Sequence, residues 1–313
     1  MKVKLSNSTN YSYSVDYKAT SKRQKMDRVL GIVGGSGLYD LEEMTNKEWR
    51  AIKTPFGDPS DQLLVGEIHG QSVVFLPRHS RGHLIAPSQI NYRANVYALK
   101  SLGVTDVLSV SAVGSLQEEH APGTFVLVDQ FIDRTFAREK SFFGDGLVAH
   151  VPMADPICKD LKDRVAQHCR DLEIKHAVDG TYLAMEGPQF STRAESKLYR
   201  SWGCDVIGMT NMPEAKLARE AEICYLTLAM VTDYDCWRSS DADVSIPEIL
   251  ATMKQNAQNA CQLVVKTAQA LNSKAENCSA GCNQALEYAL ITAPDARDPD
   301  LVKNLEPLIG RFS

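Results

Sequence analysis

Asp233 and Asp235 follow directly on the densest apolar run of the chain, residues 223–231. An apolar, partly β-branched run predicts a strand buried on both faces of a mainly parallel sheet. Open α/β sheets bind ligands beyond the carboxyl ends of such strands, where carboxyl groups can hydrogen-bond a ligand and exchange protons. The same Asp-x-Asp pattern also fits a cap of the following turn or helix, so the pair alone leaves both roles open.

A basic cluster, residues 78–83, follows a second apolar run and reads Arg-His-Ser-Arg-Gly-His. Two arginines and two histidines in six residues suit phosphate or another oxyanion, since arginine presents a planar fork of donors. No carboxylate or thiol lies at zinc-ligand spacing, which argues against a metal there. A solvated charged loop is the alternative interpretation.

Two further strand ends carry small and hydroxyl residues. Residues 34–37 read Gly-Gly-Ser-Gly, and residues 111–115 read Ser-Ala-Val-Gly-Ser. Glycines let backbone N–H groups approach an anion closely, and the serines add hydroxyl donors. Both ends therefore suit an anion or a sugar. The first lacks the third glycine of a dinucleotide fingerprint, which disfavours a nucleotide-dependent dehydrogenase.

Two loop regions also carry candidate residues. Residues 131–153 form a long irregular connection, a type of segment that is often functional. Residues 186–190, Glu-Gly-Pro-Gln-Phe, lead into Ser191 and Thr192, either of which suits a helix cap with Glu195 near capping-box spacing. Phe190 fits either the core or a stacking face for a planar ligand.

Strand-like and helix-like segments alternate along the chain, which predicts an α/β fold with a mixed, mainly parallel central sheet flanked by helices. The periodicity and capping residues predict helices over residues 91–102, 155–173, 213–222, 245–271, 284–291 and 299–309.

Composition narrows the class of protein. Of 313 residues, 44% are hydrophobic and 23% charged, which indicates a soluble globular protein, and a net charge of −5 disfavours nucleic acid as a partner. No apolar run approaches the roughly 18 residues that span a bilayer, so no membrane partner is expected. Eight scattered cysteines indicate reduced thiols and a cytoplasmic location. Cys278 and Cys282 form a C-x3-C pair without nearby histidine, a weak metal signal, and no metal site is predicted.

Several motifs in one order carry a family resemblance. They are Gly34-Gly-Ser-Gly37, Thr54-Pro-Phe-Gly57, Arg78-His79, Asn91-Tyr-Arg-Ala-Asn95, Gly114-Ser-Leu116, Asp129-Gln-Phe-Ile-Asp133, Glu186-Gly-Pro-Gln-Phe190, Gly208-Met-Thr210 and Thr232-Asp-Tyr-Asp-Cys-Trp237. With them the chain resembles the purine nucleoside phosphorylase superfamily, in particular its members that act on methylthioadenosine.

The resemblance covers about residues 30–271. It implies one phosphorylase-type domain over residues 27–313, with residues 272–313 as a C-terminal helical tail. Residues 1–26 are rich in lysine and hydroxyl side chains and lack the apolar segment of a secretory signal, which predicts a disordered extension.

The resemblance implies phosphorolysis of S-methyl-5′-thioadenosine to adenine and 5-methylthioribose 1-phosphate, within purine and methionine salvage. Inorganic phosphate is then a co-substrate and the nucleophile, so no cofactor and no attacking carboxylate is expected. The implied phosphate ligands are Ser36, Arg78, His79, Ser111, Thr210 and the backbone at Ala112. Ser36 and Ser111 stand where many relatives carry threonine, but the hydroxyl is kept.

Asp233 is the implied acid: protonated, it would hydrogen-bond the purine N7 and assist departure of the base, and an aspartate here favours adenine over 6-oxopurines. Asp235 and Ser191 would contact the 6-amino group. Met209 would lie against the ribose and Phe190 near the base. The apolar 5′ pocket is expected from Ile246, Ile249 and Leu250. His150 would reach a neighbouring subunit's site, which implies a homotrimer, or a hexamer built from trimers.

Two alternatives remain open from the sequence. One is a phosphorylase of another purine nucleoside, such as adenosine, methylthioinosine or a 6-oxopurine nucleoside. The other belongs to a different class, a non-catalytic nucleoside-binding protein in which Asp233 does not act as an acid.

Overall fold

The computed structural model describes residues 28–35, 38, 41–238, 246–271 and 278–312, without the side chains of residues 246–249. Within these residues the strands are β1 (Leu30–Gly34), β2 (Met44–Arg50), β3 (Leu63–Ile68), β4 (Gln71–Pro77), β5 (Asp106–Ser115), β6 (Phe125–Leu127), β7 (Gln130–Arg134), β8 (His176–Val178), β9 (Thr181–Met185), β10 (Val206–Gly208) and β11 (Cys224–Asp233). The α-helices are α1 (Tyr92–Ser101), α2 (Lys159–Asp171), α3 (Arg193–Ser201), α4 (Asn211–Glu220), α5 (Ile246–Ala270), α6 (Pro299–Asn304) and α7 (Glu306–Ile309).

The sheet is built around β5. Parallel strands β1 and β11 flank most of its length, and antiparallel β10 pairs with its last residues. Beyond β1 the order continues through β4, β3 and β2, and beyond β10 it continues through β9 to β7. Strand β11 also pairs with β6, which pairs with β8. The predicted α/β fold with a mixed, mainly parallel sheet is confirmed.

The parallel arrangement decides where the candidate residues meet. Strands β1, β4, β5 and β11 run in the same direction, so their carboxyl ends share one edge of the sheet. Strand β11 is buried along nearly all of its length, as its dense apolar sequence predicts. Helices cover the sheet, with α1 packed against α4 and α2 against α5. No helix within the described ranges is both long and apolar enough to cross a membrane.

Local capping follows the sequence closely. The Asn91 side chain accepts the Ala94 N–H at 3.1 Å and begins α1. At α3 the cap is Thr192, whose hydroxyl accepts the Glu195 N–H at 3.2 Å while the Glu195 carboxylate accepts the Thr192 N–H at 2.7 Å. This reciprocal capping box fixes the start of the helix beside the candidate site.

The helix predicted over residues 284–291 is wrong. The chain there forms a short 3-10 turn, Cys282–Gln284, followed by further turns, and Leu290 then makes a β-bridge with Ala149. The Leu286 N–H donates to the Glu222 carboxylate at 2.9 Å. Contacts with the rest of the protein thus take the backbone hydrogen bonds that a helix would have used. The predicted extension, residues 1–26, lies outside the described residues.

Candidate active site

Two buried hydroxyls meet where β5 and β10 end. Strand β10 runs antiparallel to the end of β5, so the chain that follows β10 continues toward the middle of β5. Thr210, two residues beyond β10, therefore comes close to Ser111, and their Oγ atoms are 3.3 Å apart. The buried Tyr182 hydroxyl lies beside both. It has no hydrogen-bond partner of normal geometry among the described residues. Three hydroxyls in one buried place can donate hydrogen bonds to an anion.

Arg78 lies beneath this point, with its side chain only 2% exposed. Its Nε donates to Glu214 Oε2 at 2.8 Å, and Nη2 donates to Ser109 Oγ at 2.5 Å and Glu214 Oε1 at 3.3 Å. Tyr225 donates its hydroxyl to the same Glu214 oxygen at 2.8 Å. The remaining guanidinium bonds go to two strand carbonyls at 3.3 Å. The structure therefore shows Arg78 in a buried ion pair, and its predicted contact with phosphate stays a prediction.

His79 follows Arg78 at the end of β4. Its Nδ1–H donates to the Ile85 carbonyl at 2.8 Å, which leaves Nε2 as a hydrogen-bond acceptor, and its ring stacks on His83 with centroids 4.3 Å apart. Burial, together with the neighbouring charge of Arg78, lowers the pKa of His79 to about 4. A neutral imidazole in this tautomer can accept a hydrogen bond from the P–OH of hydrogenphosphate.

Asp233 and Asp235 stand at the end of β11, against β5. Asp233 accepts the Asp235 N–H at Oδ1, 2.8 Å away, and the Thr232 hydroxyl at Oδ2, 2.7 Å away. A Cβ atom on Gly114 would lie 3.2 Å from Asp233 Oδ1 and from Asp235 Cβ, so glycine lets both acids approach β5. Asp235 adopts a φ of 50° and accepts the Ser196 hydroxyl.

The pKa of Asp235 lies above its usual range. Burial is the largest cause, and the nearby Asp233 carboxylate adds to it, whereas the hydrogen bond from Ser196 lowers the pKa. The structure thus places a carboxyl group with a raised pKa at the end of β11. Perturbed pKa values of this kind are common among residues of functional sites.

The residues predicted to contact the base and ribose surround these acids. The Ser191 carbonyl accepts the Cys236 thiol at 3.2 Å, so Ser191 adjoins the segment after Asp235. Met209 packs on Gly187, where an added Cβ would lie 2.6 Å from its sulfur. Phe190 is 82% exposed, which excludes the core interpretation within this chain and leaves its ring free to stack on a ligand.

The remaining predicted residues either lie outside the described part of the chain or lie on its surface. Ser36 is outside the described residues, as are the side chains of Ile246 and Ile249, and Leu250 is exposed. His150 is exposed and lines a cavity of about 430 Å³ together with residues of the 140–153 segment and α4, away from the strand ends. Its predicted role in a neighbouring subunit stays a prediction.

Arg138 and Glu186 position the site but were missed from the sequence. Arg138 donates to the Met209 carbonyl at 2.6 Å, to the Met212 carbonyl at 2.7 Å and to Glu186 Oε1 at 3.0 Å. Burial opposes ionisation of Glu186, but hydrogen bonds from Ser88, two backbone N–H groups and Arg138 lower its pKa to about 2. The connection predicted to be irregular over residues 131–153 is irregular only after Arg134, since residues 131–134 belong to β7, and this ion pair fastens residues 135–153 to the backbone that carries Met209.

Glu214, the partner of Arg78, was missed as well. It is an ordinary acidic residue within an amphipathic helix by sequence, and only the fold shows that its side chain points into the sheet. In contrast, Glu186 belongs to a motif that the sequence analysis identified, but its ion pair with Arg138 was not predicted.

The sheet and these strand-end residues define an α/β phosphorylase. A model of the phosphorylase superfamily matches residues 29–269, and the chain belongs to that superfamily. Its similar relatives carry a more particular name, S-methyl-5′-thioadenosine phosphorylase. The relative from Rhodospirillum rubrum is 56% identical over 90% of this chain and 96% of its own length, and that from Cereibacter sphaeroides is 54% identical over 91% and 99%.

Solved structures give the same picture. A methylthioadenosine phosphorylase from an Antarctic soil metagenomic library superposes with a TM-score of 0.85 at 46% identity, covering 91% of this chain and 99% of its own. A methylthioadenosine phosphorylase from Schistosoma mansoni in complex with adenine superposes with a TM-score of 0.76 at 36% identity, covering 83% and 97%. The family predicted from the sequence is confirmed.

Proposed function

We propose that the protein cleaves S-methyl-5′-thioadenosine with inorganic phosphate, giving adenine and 5-methylthioribose 1-phosphate for purine and methionine salvage. One observation carries the chemistry: at the end of β5, the Thr210 hydroxyl lies beside Ser111, and the side chains of Asp233 and Asp235 lie against Gly114. Ser111 and Gly114 are three residues apart, or about 10 Å along a strand. That spacing suits a phosphate and a purine edge bound side by side.

In the proposed mechanism the hydroxyls and His79 hold the phosphate, and the acids at the end of β11 act on the base. Cleavage of the glycosidic bond builds positive charge on the ribose and negative charge on the departing adenine. Phosphate, held by the hydroxyls of Ser111 and Thr210 and by neutral His79, attacks the anomeric carbon. Asp233 hydrogen-bonds N7 and supplies the proton that the adenine anion requires, so the negative charge is neutralised as it forms.

Selectivity for adenine follows from the second acid. Asp235, in its ionised form, accepts a hydrogen bond from the 6-amino group, and Ser191 adjoins it. A 6-oxo group has no proton to offer there and would face a carboxylate, which leaves a buried acceptor unpaired. Phe190 would stack on the base and Met209 would lie against the ribose.

The proposal also includes an apolar pocket for the 5′ methylthio group, which a second subunit would complete. Ile246, Ile249 and Leu250 lie in the first turns of α5, and their apolar side chains suit a methylthio group. The exposed Leu250 and His150 would be covered when subunits associate as a homotrimer, or as a hexamer built from trimers. No cofactor is required by this chemistry.

Release of adenine from S-methyl-5′-thioadenosine, measured with and without phosphate and beside adenosine and methylthioinosine, tests the proposal. We expect strictly phosphate-dependent release that is fastest on the methylthio substrate. Faster turnover of adenosine or methylthioinosine would contradict the assignment of the 5′ pocket or the base site. Absence of turnover with every nucleoside would reject the enzymatic function.

Asp233→Ala separates catalysis from binding. We expect kcat to fall by about 10²–10⁴-fold, the usual contribution of a general acid, with a much smaller change in nucleoside affinity measured by calorimetry. Tyr234→Phe, next to it in sequence, is the control, because Tyr234 points to the Glu118 carbonyl on the surface. A nucleoside-binding protein without catalysis would show no turnover in the parent and unchanged binding in the Asp233→Ala variant.

A further inference from the structure

Four cysteine thiols converge at the amino end of β11. Cys224 is the first residue of that strand, Cys158 immediately precedes α2, and Cys278 and Cys282 lie on one turn of the C-terminal segment. Their four Sγ atoms all lie within 4.8 Å of one another, and three of the four residues are buried. The four are free thiols in the structure. Nothing in the proposed reaction uses this cluster.

The spacing of the sulfur atoms matches a tetrahedral metal site. Four thiolates at about 2.3 Å from a zinc ion lie about 3.8 Å from each other. The Cys158 and Cys278 sulfur atoms are 3.5 Å apart, whereas a disulfide requires about 2.05 Å. A disulfide would also join two cysteines and exclude the others, but here all four are brought together. We propose that Cys158, Cys224, Cys278 and Cys282 bind one Zn²⁺ ion as a structural four-cysteine site.

The backbone of the turn over residues 278–282 holds two of the proposed ligands close together. Cys278 and Cys282 are separated by three residues, within the usual range for paired zinc ligands. Gly281 between them has a φ of 69°, a conformation that glycine adopts without strain, and its N–H donates to the Cys278 carbonyl at 2.9 Å. The Ser279 N–H donates to Asp160 of α2 at 2.8 Å, which holds the turn against Cys158.

Two arginines lie near the four thiols and would offset part of the negative charge of a zinc–thiolate site. A zinc ion with four thiolates carries two net negative charges. The positive charge of Arg28 acts on Cys158 and Cys224, and that of Arg219 acts on Cys282. Zinc binding replaces the protons of those thiols that are not yet ionised and releases them to solvent.

A site with four protein ligands has no open position for substrate or water, which makes it structural. Cys224 and Asp233 stand at opposite ends of β11, nine residues or about 30 Å apart along a strand. The ion would instead fasten the 278–312 segment to α2 and β11. That segment carries Leu290, which pairs with Ala149 next to His150, so the metal would hold in place the surface proposed to contact a neighbouring subunit.

The sequence predicted no metal because the pattern is discontinuous. Cys278 and Cys282 look like a weak isolated pair, while Cys158 and Cys224 are far away in sequence from them and from each other. Only the contact of β11, α2 and the C-terminal segment brings the four together.

Metal content of the full-length protein, purified without chelators, tests the proposal. We expect about one zinc per chain by plasma mass spectrometry, released in proportion as four thiols are titrated with a mercurial. Protein reconstituted with Co²⁺ should show thiolate-to-metal charge-transfer bands and the visible bands of tetrahedral coordination. Cys282→Ser should retain roughly a tenth of the zinc or less. Cys261→Ser on α5, outside the cluster, should retain all of it.

Two results would overturn the proposal. One is that the reduced parent protein binds no stoichiometric zinc or cobalt after reconstitution. The other is that non-reducing peptide mapping finds disulfides among the four cysteines in protein handled without oxygen. Both of these results are measured on the parent protein, so they stand even if Cys282→Ser folds poorly or if the nucleoside substrate differs from the one proposed.

Discussion

At the scale of single residues, the protonation state of Asp235 depends on its burial and on its hydrogen bond with Ser196. In the proposed mechanism Asp235 accepts a hydrogen bond from the 6-amino group of adenine most strongly when it is ionised, yet burial raises its pKa. The hydroxyl of Ser196, on α3, donates to Asp235 and lowers that pKa. Ser196 therefore acts on the base site through Asp235 and is a positioning residue.

Ser196→Ala tests this relation through pH. The proposed hydrogen bond to the 6-amino group is stronger with ionised Asp235, so kcat/KM should fall as the pH drops through the pKa of Asp235. Removing the hydrogen bond from Ser196 raises that pKa further, and the acid limb of the kcat/KM profile for S-methyl-5′-thioadenosine should move to higher pH. Ser201→Ala, on the exposed side of the same helix, should leave the limb in place. An unmoved limb in Ser196→Ala would contradict the role of Asp235.

Glu214→Gln tests the buried ion pair with Arg78. The substitution keeps the shape of the side chain but leaves the guanidinium without a countercharge, which in buried pairs costs about 3–5 kcal/mol. We expect a loss of that size in the free energy of unfolding measured in urea, with a higher KM for phosphate. Glu139→Gln removes the exposed partner of Arg93, 3.8 Å away, and should change stability by about 0.5 kcal/mol or less. Equal effects of the two variants would reject the inferred importance of the buried pair.

At the scale of elements, the sequence predicted what local patterns determine. The helix predicted from residue 91 and the buried strands β5 and β11 are confirmed, and of the two residues predicted to cap α3 the structure selects Thr192, because propensity, capping and hydrophobic runs all point to the same local structure. The inward side chain of Glu214 and the missing helix at residues 284–291 could not be predicted in this way. Both depend on contacts between segments that are distant in sequence, and such contacts cannot be inferred from local sequence patterns.

Strand β10 illustrates a close approach that determines the site. A Cβ atom on Gly208 would lie 1.9 Å from the Tyr182 hydroxyl oxygen, so an alanine there forces either the ring or β10 to move. Because β10 leads directly into Thr210, the movement would separate the hydroxyls proposed to hold phosphate.

Gly208→Ala should therefore lower stability by about 1–3 kcal/mol, as overpacked cores do, and raise the KM for phosphate more than that for the nucleoside. Urea unfolding and initial rates at varied phosphate measure the two effects. Gly144→Ala provides the control, since an added Cβ there meets no atom within 4 Å. A phosphate KM equal to that of the parent would show that β10 does not position the anion site.

At the scale of the whole molecule, the exposed residues around His150 require explanation. Val148, Tyr288 and Ile291 are exposed apolar side chains on the same surface, where the 147–150 segment pairs with residues 289–291. Apolar surface of this kind, beside a histidine with no place in the site of its own chain, is typical of a subunit contact. This agrees with the proposed homotrimer, in which His150 enters the neighbouring site.

Mixed oligomers test that arrangement directly. Asp233→Ala and His150→Ala should each be impaired as pure proteins. In a hybrid assembled from equal amounts of both, a site formed by Asp233 of one subunit and His150 of its neighbour is intact in about a quarter of cases, because each condition is met half of the time. We therefore expect about a quarter of the parent activity towards S-methyl-5′-thioadenosine after co-expression, with light scattering to confirm a trimeric or hexameric mass. If His150 instead serves its own subunit, each chain of the hybrid still carries one defect, and activity stays at the mean of the two pure variants.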